Sequence, residues 1–279
     1  MTMQLRGYKS LWEWNGSWEG KLAGVAEAGY VGVEYTPPAD PKDDPTFRKD
    51  LDDMNLSFIA QVVTRGPDHS RSFREQVLRA AELRPVLINS HSAADRMTAD
   101  EQLRFFEAAL RVEQEIGIPI AHETHRGRAF FTPWHTAAVL KQLPALAIGA
   151  DFSHWCAACE SMPSPDDEDV RLSISRAIHI HGRVGYPEGP QVSDPRAPEF
   201  AAHVETFIDL WLRICQHRFD AGADIMTFTP EFGPPPYLQV QPYTRQPVAD
   251  LWDVNLWMFQ TFKSRYDLLF SDSQLLSSL

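Results

Sequence analysis

Residues 118–125 read Ile-Pro-Ile-Ala-His-Glu-Thr-His, a short apolar stretch that ends in a carboxylate between two histidines. Three later stretches, 146–151, 177–181 and 225–231, are also apolar and also end in an acidic residue or a histidine. The terminal residues are Glu123, Asp151, His181 and Glu231. Parallel strands that close into a barrel bring their carboxyl ends to one mouth, where active sites lie. The four residues are therefore predicted to converge.

Short apolar stretches alternate with longer amphipathic ones along the whole chain. The predicted strands lie near 8–12, 30–36, 56–64, 85–91, 118–124, 146–152, 177–182 and 223–230. The predicted helices lie near 17–28, 43–55, 69–82, 98–116, 134–142, 165–174, 197–220 and 247–270. Eight such units in 279 residues indicate an α/β fold, a single (β/α)₈ TIM barrel over residues 1–279. An open doubly wound sheet is the alternative, but no Gly-x-Gly-x-x-Gly follows the first strand.

The helix near 98–116 has the clearest boundaries. Thr98 is suited to cap its start, with Glu101 three residues later, and Gly117 is suited to end it. We therefore expect this helix to begin and end at these residues.

Composition narrows the classes of partner. The chain has 26 Lys and Arg against 38 Asp and Glu, a net charge of −12, which disfavours binding to a phosphate backbone. It contains neither an apolar run long enough to span a membrane nor an apolar signal core near its first residue. We expect a cytoplasmic protein with no nucleic-acid or membrane partner.

The three cysteines predict no disulfide framework. Cys156 and Cys159 have the spacing of a redox pair or half a zinc site, but no second ligand pair follows at suitable spacing. Two helix residues one turn apart are the expected explanation.

Strand alternation tests the convergence of the four ligand candidates, because successive side chains of a strand face opposite sides. Ile178 and Ile180 are predicted to face the helices, which leaves His179 and His181 toward the barrel axis. The same alternation turns Glu123 and His125 of the fifth strand toward the axis. Asp151 and Glu231 follow the same rule, opposite the apolar residues Leu146, Ile148, Met226 and Phe228.

Three buried carboxylates and one imidazole predict a divalent metal site. Buried carboxylates repel one another unless a cation neutralises them. Mostly oxygen ligands favour Mn²⁺ or Mg²⁺, with Zn²⁺ and Co²⁺ as further possibilities. A purely ionic network with Arg126, Arg128 and Arg183 is the alternative.

These motifs resemble those of the sugar phosphate isomerase/epimerase superfamily, which has a xylose isomerase-like TIM barrel. The resemblance covers nearly the whole chain and includes Asp-x-x-His at 151–154 and His-x-His at 179–181. It implies that one divalent cation is bound by Glu123, Asp151, His181 and Glu231. The abasic-site endonucleases share the barrel, but their full set of histidine ligands is not visible here.

The resemblance also implies an activity. It suggests isomerisation or epimerisation of a small carbohydrate through proton abstraction next to a carbonyl, with Glu123 and Glu231 as the catalytic pair. The implied substrate-binding residues are His125, His154, His179, Arg126 and Arg183. Ala129 and Pro187 occupy positions where the ketose epimerases carry a substrate-binding Glu and Arg. The identity of the sugar is therefore not implied.

Two other functions use the same residues. A metal-dependent dehydratase or lyase of a keto-sugar, keto-inositol or keto-glycoside forms the same enolate. A metal-stabilised sugar-binding subunit needs no proton transfer. The proline-rich loops near 184–198 and 232–245 leave the predicted mouth and are expected to form the pocket, although a surface or homo-oligomer contact is the alternative for the first.

Overall fold

Eight parallel strands close a barrel in chain order. The structure, a computed structural model, describes residues 3–14, 18 and 21–276, with side chains as far as residue 270. The strands are β1 Gln4–Ser10, β2 Gly32–Tyr35, β3 Ser57–Val63, β4 Leu87–His91, β5 Ile120–Glu123, β6 Ile148–Ala150, β7 Ala177–His181 and β8 Ile225–Thr229. Because β1 pairs with both β2 and β8, the sheet has no free edge. The predicted TIM barrel is confirmed, and the open doubly wound sheet is wrong.

Nine α-helices are found in the described residues. They are α1 Lys21–Glu27, α2 Asp44–Asp53, α3 His69–Glu82, α4 Ala99–Ile116, α5 Pro133–Gln142, α6 Ser153–Cys159, α7 Glu168–Arg176, α8 Ala201–Asp220 and α9 Leu251–Leu276. Short 3₁₀ helices cover Pro41–Asp43 and Pro198–Phe200. The start of the helix predicted near 17–28 lies partly outside the described residues. None of the described helices is long and apolar enough to cross a membrane.

The strand β1 begins four residues earlier than the sequence indicated. Gln4 and Arg6 are polar and partly or fully exposed at its start, which hid the strand pattern. Gly7 lies within this strand, and the position requires glycine because a side chain there would overlap the ring of Phe259 on α9.

Helix α4 has the predicted boundaries. The Thr98 side chain accepts a hydrogen bond from the Glu101 backbone, the Glu101 carboxylate accepts one from the Thr98 backbone, and Gly117 ends the helix in the left-handed conformation.

Helix α6 was not among the predicted helices. It carries Cys156 and Cys159 one turn apart, and all three cysteines are free. The expected explanation of the Cys-x-x-Cys spacing is confirmed.

One prediction from strand alternation is wrong. Ile178 packs against Tyr8, Ile59, Leu87 and Ala121, whereas it was predicted to face the helices with Ile180. The pairing of β6 with β7 shifts register between Ile148 and Gly149, where Gly149 pairs with His179. This irregularity interrupts the simple alternation of side chains at the start of β7. The candidate residues farther along the strand keep their predicted direction.

Candidate metal centre

Glu123, Asp151, His181 and Glu231 converge at the carboxyl ends of β5 to β8. Each offers a ligand atom within 4.8 Å of the other three. The His181 Nδ1 atom lies 2.9 Å from Glu231 Oε2, 3.6 Å from Glu123 Oε2 and 3.9 Å from Asp151 Oδ2. All four side chains are at most 5% exposed. The structure therefore brings together the four residues that the sequence singled out.

The proton on His181 is assigned by its neighbours. Its Nε2 atom lies 2.9 Å from Glu34 Oε1, and a carboxylate can only accept, so Nε2 carries hydrogen. The Nδ1 atom faces three carboxylate oxygens and lies nearest to Glu231 Oε2, at 2.9 Å. Glu123 Oε1 is buried without a hydrogen-bond partner. Buried ligand atoms that lie within 4.8 Å of one another have the arrangement of a ligand set around a cation.

Glu34, at the end of β2, was missed by the sequence analysis. Its carboxylate accepts from His181 through Oε1 and from His179 through Oε2, the latter over 3.1 Å. Although burial raises its pKa, the two histidines lower the pKa of Glu34 overall. It therefore remains ionised and orients His181. Its position at a strand end, like that of Glu123, was the available signal.

Asn89 and His91 of β4 hold Glu123 and were also missed. Asn89 Nδ2 donates to Glu123 Oε2 over 2.6 Å, and His91 Nε2 lies 2.7 Å from the same oxygen. The two residues are two positions apart in β4, so both side chains face the barrel axis. The carboxylate is thus fixed through one oxygen while the other remains unpaired.

Arg183 is a buried cation beside Asp151. Its Nη2 atom donates to Asp151 Oδ2 and lies 3.5 Å from Glu231 Oε2. Burial raises the pKa of Asp151 to about 6; Glu231 and Glu123 add to this effect and Arg183 opposes it. Arg183 therefore neutralises only part of the negative charge of Glu34, Glu123, Asp151 and Glu231.

His154 is neutral in this arrangement. Its Nε2 atom lies 2.7 Å from Arg183 Nη2, which can only donate, so Nε2 accepts and Nδ1 carries the proton. Burial, and then the charges around it, lower the pKa of His154, in agreement with the neutral form.

Aromatic and imidazole rings surround His154 and Arg183. The ring of His125 lies 3.8 Å from that of His154, and burial lowers the pKa of His125 to about 3. Tyr237 lies 4.8 Å from the Arg183 guanidinium and 5.2 Å from that of Arg126. Trp12 contacts Tyr237 at a ring separation of 5.4 Å. Trp12 was not predicted, whereas Tyr237 lies in the 232–245 loop that was expected to form the pocket.

The remaining candidates, His179 and Arg128, have other partners. His179 is fully buried, and both ring nitrogens are engaged, by Thr227 and Glu34. It lies one inward position before His181. Arg128 donates to the carbonyl groups of Thr64 and Ala93 and makes no salt bridge to the four candidate ligands.

The two proline-rich loops are joined and partly buried. Gln191 accepts from the Gly233 backbone N–H over 2.7 Å and donates to its carbonyl oxygen over 3.2 Å. Asn255 of α9 accepts from the Phe232 backbone N–H over 2.8 Å and donates to its carbonyl over 3.0 Å. The backbone that follows Glu231 is therefore held from two sides.

No family model matches this chain, and no curated protein does. Solved structures match it over nearly its full length. A D-tagatose 3-epimerase-like protein has a TM-score of 0.64 at 14% identity, covering 97% of this chain and 99% of the other. The probable 3-DHS dehydratase of petrobactin synthesis from Bacillus anthracis has a TM-score of 0.59 at 13% identity, covering 93% and 99%.

A third structure was determined with magnesium. It is a xylose isomerase-like TIM barrel protein from Mycobacterium smegmatis, with a TM-score of 0.58 at 12% identity and 89% coverage of each chain. These likenesses show that the chain has the xylose isomerase-like TIM-barrel fold. At these identities they show the fold alone.

Proposed function

We propose that this protein is a divalent-metal-dependent isomerase or epimerase that acts on a sugar or keto-sugar. The observation that carries the proposal is the convergence of one ligand atom each from Glu123, Asp151, His181 and Glu231, all buried and all within 4.8 Å of one another. Internal salt bridges to His181 and Arg183 would leave excess negative charge among the buried carboxylates. Three carboxylates and one imidazole would instead hold one cation, with Mn²⁺ or Mg²⁺ favoured by the oxygen ligands and Zn²⁺ or Co²⁺ as alternatives.

The alternative, an ionic network in which three arginines neutralise the carboxylates, explains fewer of the observed contacts. Arg183 does pair with Asp151, but Arg126 lies over Tyr237 and Arg128 binds backbone carbonyls. Arg183 and a protonated His181 together balance only part of the charge of Glu34, Glu123, Asp151 and Glu231, and the remainder supports a bound cation.

A bound divalent cation supplies a positive charge that stabilises an enediolate oxygen. Glu123 ends β5 and Glu231 follows β8, on either side of β6 and β7, so they would approach a substrate from different directions. One carboxylate removes the proton next to the carbonyl and the other returns it. Asn89 and His91 hold Glu123 during this exchange through its Oε2 atom.

We assign the residues next to the four candidate ligands to binding and orienting the sugar. We assign His125, His154 and Arg126 to hydroxyl binding and Arg183 to fixing Asp151 and His154. Trp12 and Tyr237 offer aromatic faces for the apolar side of a sugar ring. His179 was predicted to bind substrate; its contacts with Glu34 and Thr227 instead support a role in orienting His181.

Deuterium exchange tests the proposal directly. The Mn²⁺-loaded protein is incubated in D₂O with a panel of ketoses and keto-glycosides, and NMR follows loss of the proton next to the carbonyl. We expect exchange in at least one sugar, abolished in Glu123→Gln and Glu231→Gln and retained in Glu199→Gln, which changes an exposed carboxylate. Exchange that survives in both site variants would overturn the assignment of the catalytic pair.

The competing functions give different results in the same experiment. A dehydratase or lyase would exchange the proton and also release water or a leaving group; the structural neighbour from Bacillus anthracis is a probable dehydratase. A metal-stabilised sugar-binding subunit would bind metal and sugar without exchange. A small carbohydrate as the partner is part of this proposal, and the cytoplasmic location and a homo-oligomer stay predictions.

A further inference from the structure

A cavity of about 620 Å³ opens between the loops that follow β3, β4 and β5. These loops leave the same end of the barrel as the candidate metal centre. The charged residues that line it are Arg65, Arg96, Arg128, His69 and Asp95.

The cavity is positive in a protein that is strongly negative. Three arginines face a single aspartate, while the whole chain carries −12. Within the part of the chain that the structure describes, no salt bridge engages Arg65, Arg96 or Arg128. With His69 neutral, the lining has a net charge of about +2, which matches a phosphomonoester dianion.

Arg128, one of the donors around the cavity, is held in place by backbone groups. Arg128 is half-buried, and its Nη1 atom donates to the carbonyl of Thr64 over 2.9 Å and to that of Ala93 over 3.3 Å. These bonds use one nitrogen and leave the others available. A planar guanidinium so fixed presents paired N–H groups to an oxyanion at low entropic cost.

Thr64 also fixes His69. The Thr64 Oγ1 atom accepts from the Ala93 backbone N–H over 2.9 Å and lies 2.8 Å from His69 Nδ1. This contact with Nδ1 holds the His69 ring at the edge of the cavity. Burial, and then Arg128 and Arg96, lower the pKa of His69, in keeping with a positive surrounding.

His91 connects this cavity to the metal centre. Its carbonyl oxygen is bonded by the Thr64 backbone N–H over 3.1 Å, and its Nε2 atom lies 2.7 Å from Glu123 Oε2. Arg128 is also close enough for the charge of Glu123 to affect its pKa. One residue therefore separates the cationic cavity from a proposed catalytic carboxylate.

We propose that this cavity binds the phosphate of a phosphorylated ketose whose carbonyl end lies at the metal centre. The inference rests on the proposed function for the carbonyl end, whereas the anion site rests on the cavity itself. Free inorganic phosphate has the same chemistry, so the test separates the two sources.

Two measurements test the anion site and its substrate. Isothermal titration calorimetry measures inorganic phosphate binding to the metal-loaded protein, to Arg65→Gln/Arg96→Gln and to Arg104→Gln/Arg111→Gln. The last variant removes the same charge from exposed positions on α4. Deuterium exchange then compares D-ribulose with D-ribulose 5-phosphate, and D-fructose with D-fructose 6-phosphate.

We expect phosphate affinity to fall about 10- to 100-fold in Arg65→Gln/Arg96→Gln and to change little in the control. The exchange kcat/KM of the phosphorylated sugar should fall by a similar factor, while the parent sugar is unaffected.

Other outcomes separate the two proposals. Equal phosphate affinity in all three proteins overturns the anion site, whatever the sugars do. Phosphate binding that depends on Arg65 and Arg96, without any preference for a phosphorylated sugar, overturns the substrate assignment and points to free phosphate. The same binding without exchange in any sugar supports the anion site and overturns the proposed function.

Discussion

Glu34 holds His179 and His181 with its two carboxylate oxygens, at 3.1 and 2.9 Å. A carboxylate that accepts from an imidazole keeps the proton on the nitrogen that faces the carboxylate. The other nitrogen is then free to act as a metal ligand. His181 would therefore be a direct ligand, and Glu34 and His179 would act through it.

We predict that Glu34→Gln lowers Mn²⁺ affinity by about 10- to 100-fold, because the amide neither carries the charge nor accepts from both rings. His181→Ala should nearly abolish binding. Calorimetric titration of metal-free protein measures both, with the exposed Glu107→Gln as the control. If His179→Ala emptied the site and His181→Ala did not, the assignment of the ligand along β7 would be wrong.

Protons would compete with a metal ion at the proposed centre. Burial lowers the pKa of His181, but Glu231, Glu34 and Glu123 outweigh this effect and raise it well above the usual value. Burial raises the pKa of Asp151 to about 6. Both groups therefore hold protons at a higher pH than ordinary side chains, and the cation must displace them.

We predict that metal affinity rises with pH, by about tenfold per unit for each proton displaced, across about pH 5 to 8. Titrations in two buffers of different ionisation enthalpy should show proton release at neutral pH. Affinity that is flat across this range, with no proton release, would contradict the assignment of His181 as a ligand.

At the level of elements, helix α9 supports the loop after β8. Asn255 binds both backbone groups of Phe232, and its Nδ2 atom also donates to Glu13 Oε2 over 3.1 Å. Glu13 in turn pairs with the buried Lys9 over 2.5 Å. This chain of contacts joins β1, α9 and the residue next to Glu231.

Asn255→Leu is expected to lower the free energy of unfolding by about 2–3 kcal/mol, because buried polar groups lose their partners. It should also weaken metal binding, since the backbone beside Glu231 is no longer held. Urea unfolding and Mn²⁺ titration measure the two effects. Gln260→Leu, an exposed change on the same helix, should leave both unchanged. If the variant loses stability but keeps its metal affinity, Asn255 does not support the proposed metal centre.

For the whole molecule, the centre takes one residue from each of β5, β6, β7 and β8 or the residues that follow them. A cation bound there joins the carboxyl ends of half the barrel. Any ligand that binds only the folded state stabilises it by mass action.

We predict that Mn²⁺ at about 100 times its Kd raises stability by about 2.7 kcal/mol. This corresponds to a rise in Tm of roughly 5–10 °C for a chain of this size. Glu231→Gln should remove most of the rise, whereas Glu199→Gln should keep it. Elemental analysis of the desalted protein should find close to one equivalent of metal. No metal and no thermal shift would contradict the proposed centre.

The sequence alone determined the barrel and the convergence of four residues. Both follow from local patterns, because strands alternate with helices, and Glu123, Asp151, His181 and Glu231 each lie at or just after the end of an apolar strand. Parallel closure then requires their carboxyl ends to meet.

Only the tertiary structure decided which other residues join them. Glu34 and His91 come from β2 and β4, and their contacts depend on how the closed barrel places distant strands. The register shift that moved Ile178 depends on pairing between β6 and β7, which no single strand encodes. The cationic cavity likewise joins three loops whose residues are far apart in sequence. Local patterns specify the direction of a side chain, whereas partners across the barrel depend on the pairing of all eight strands.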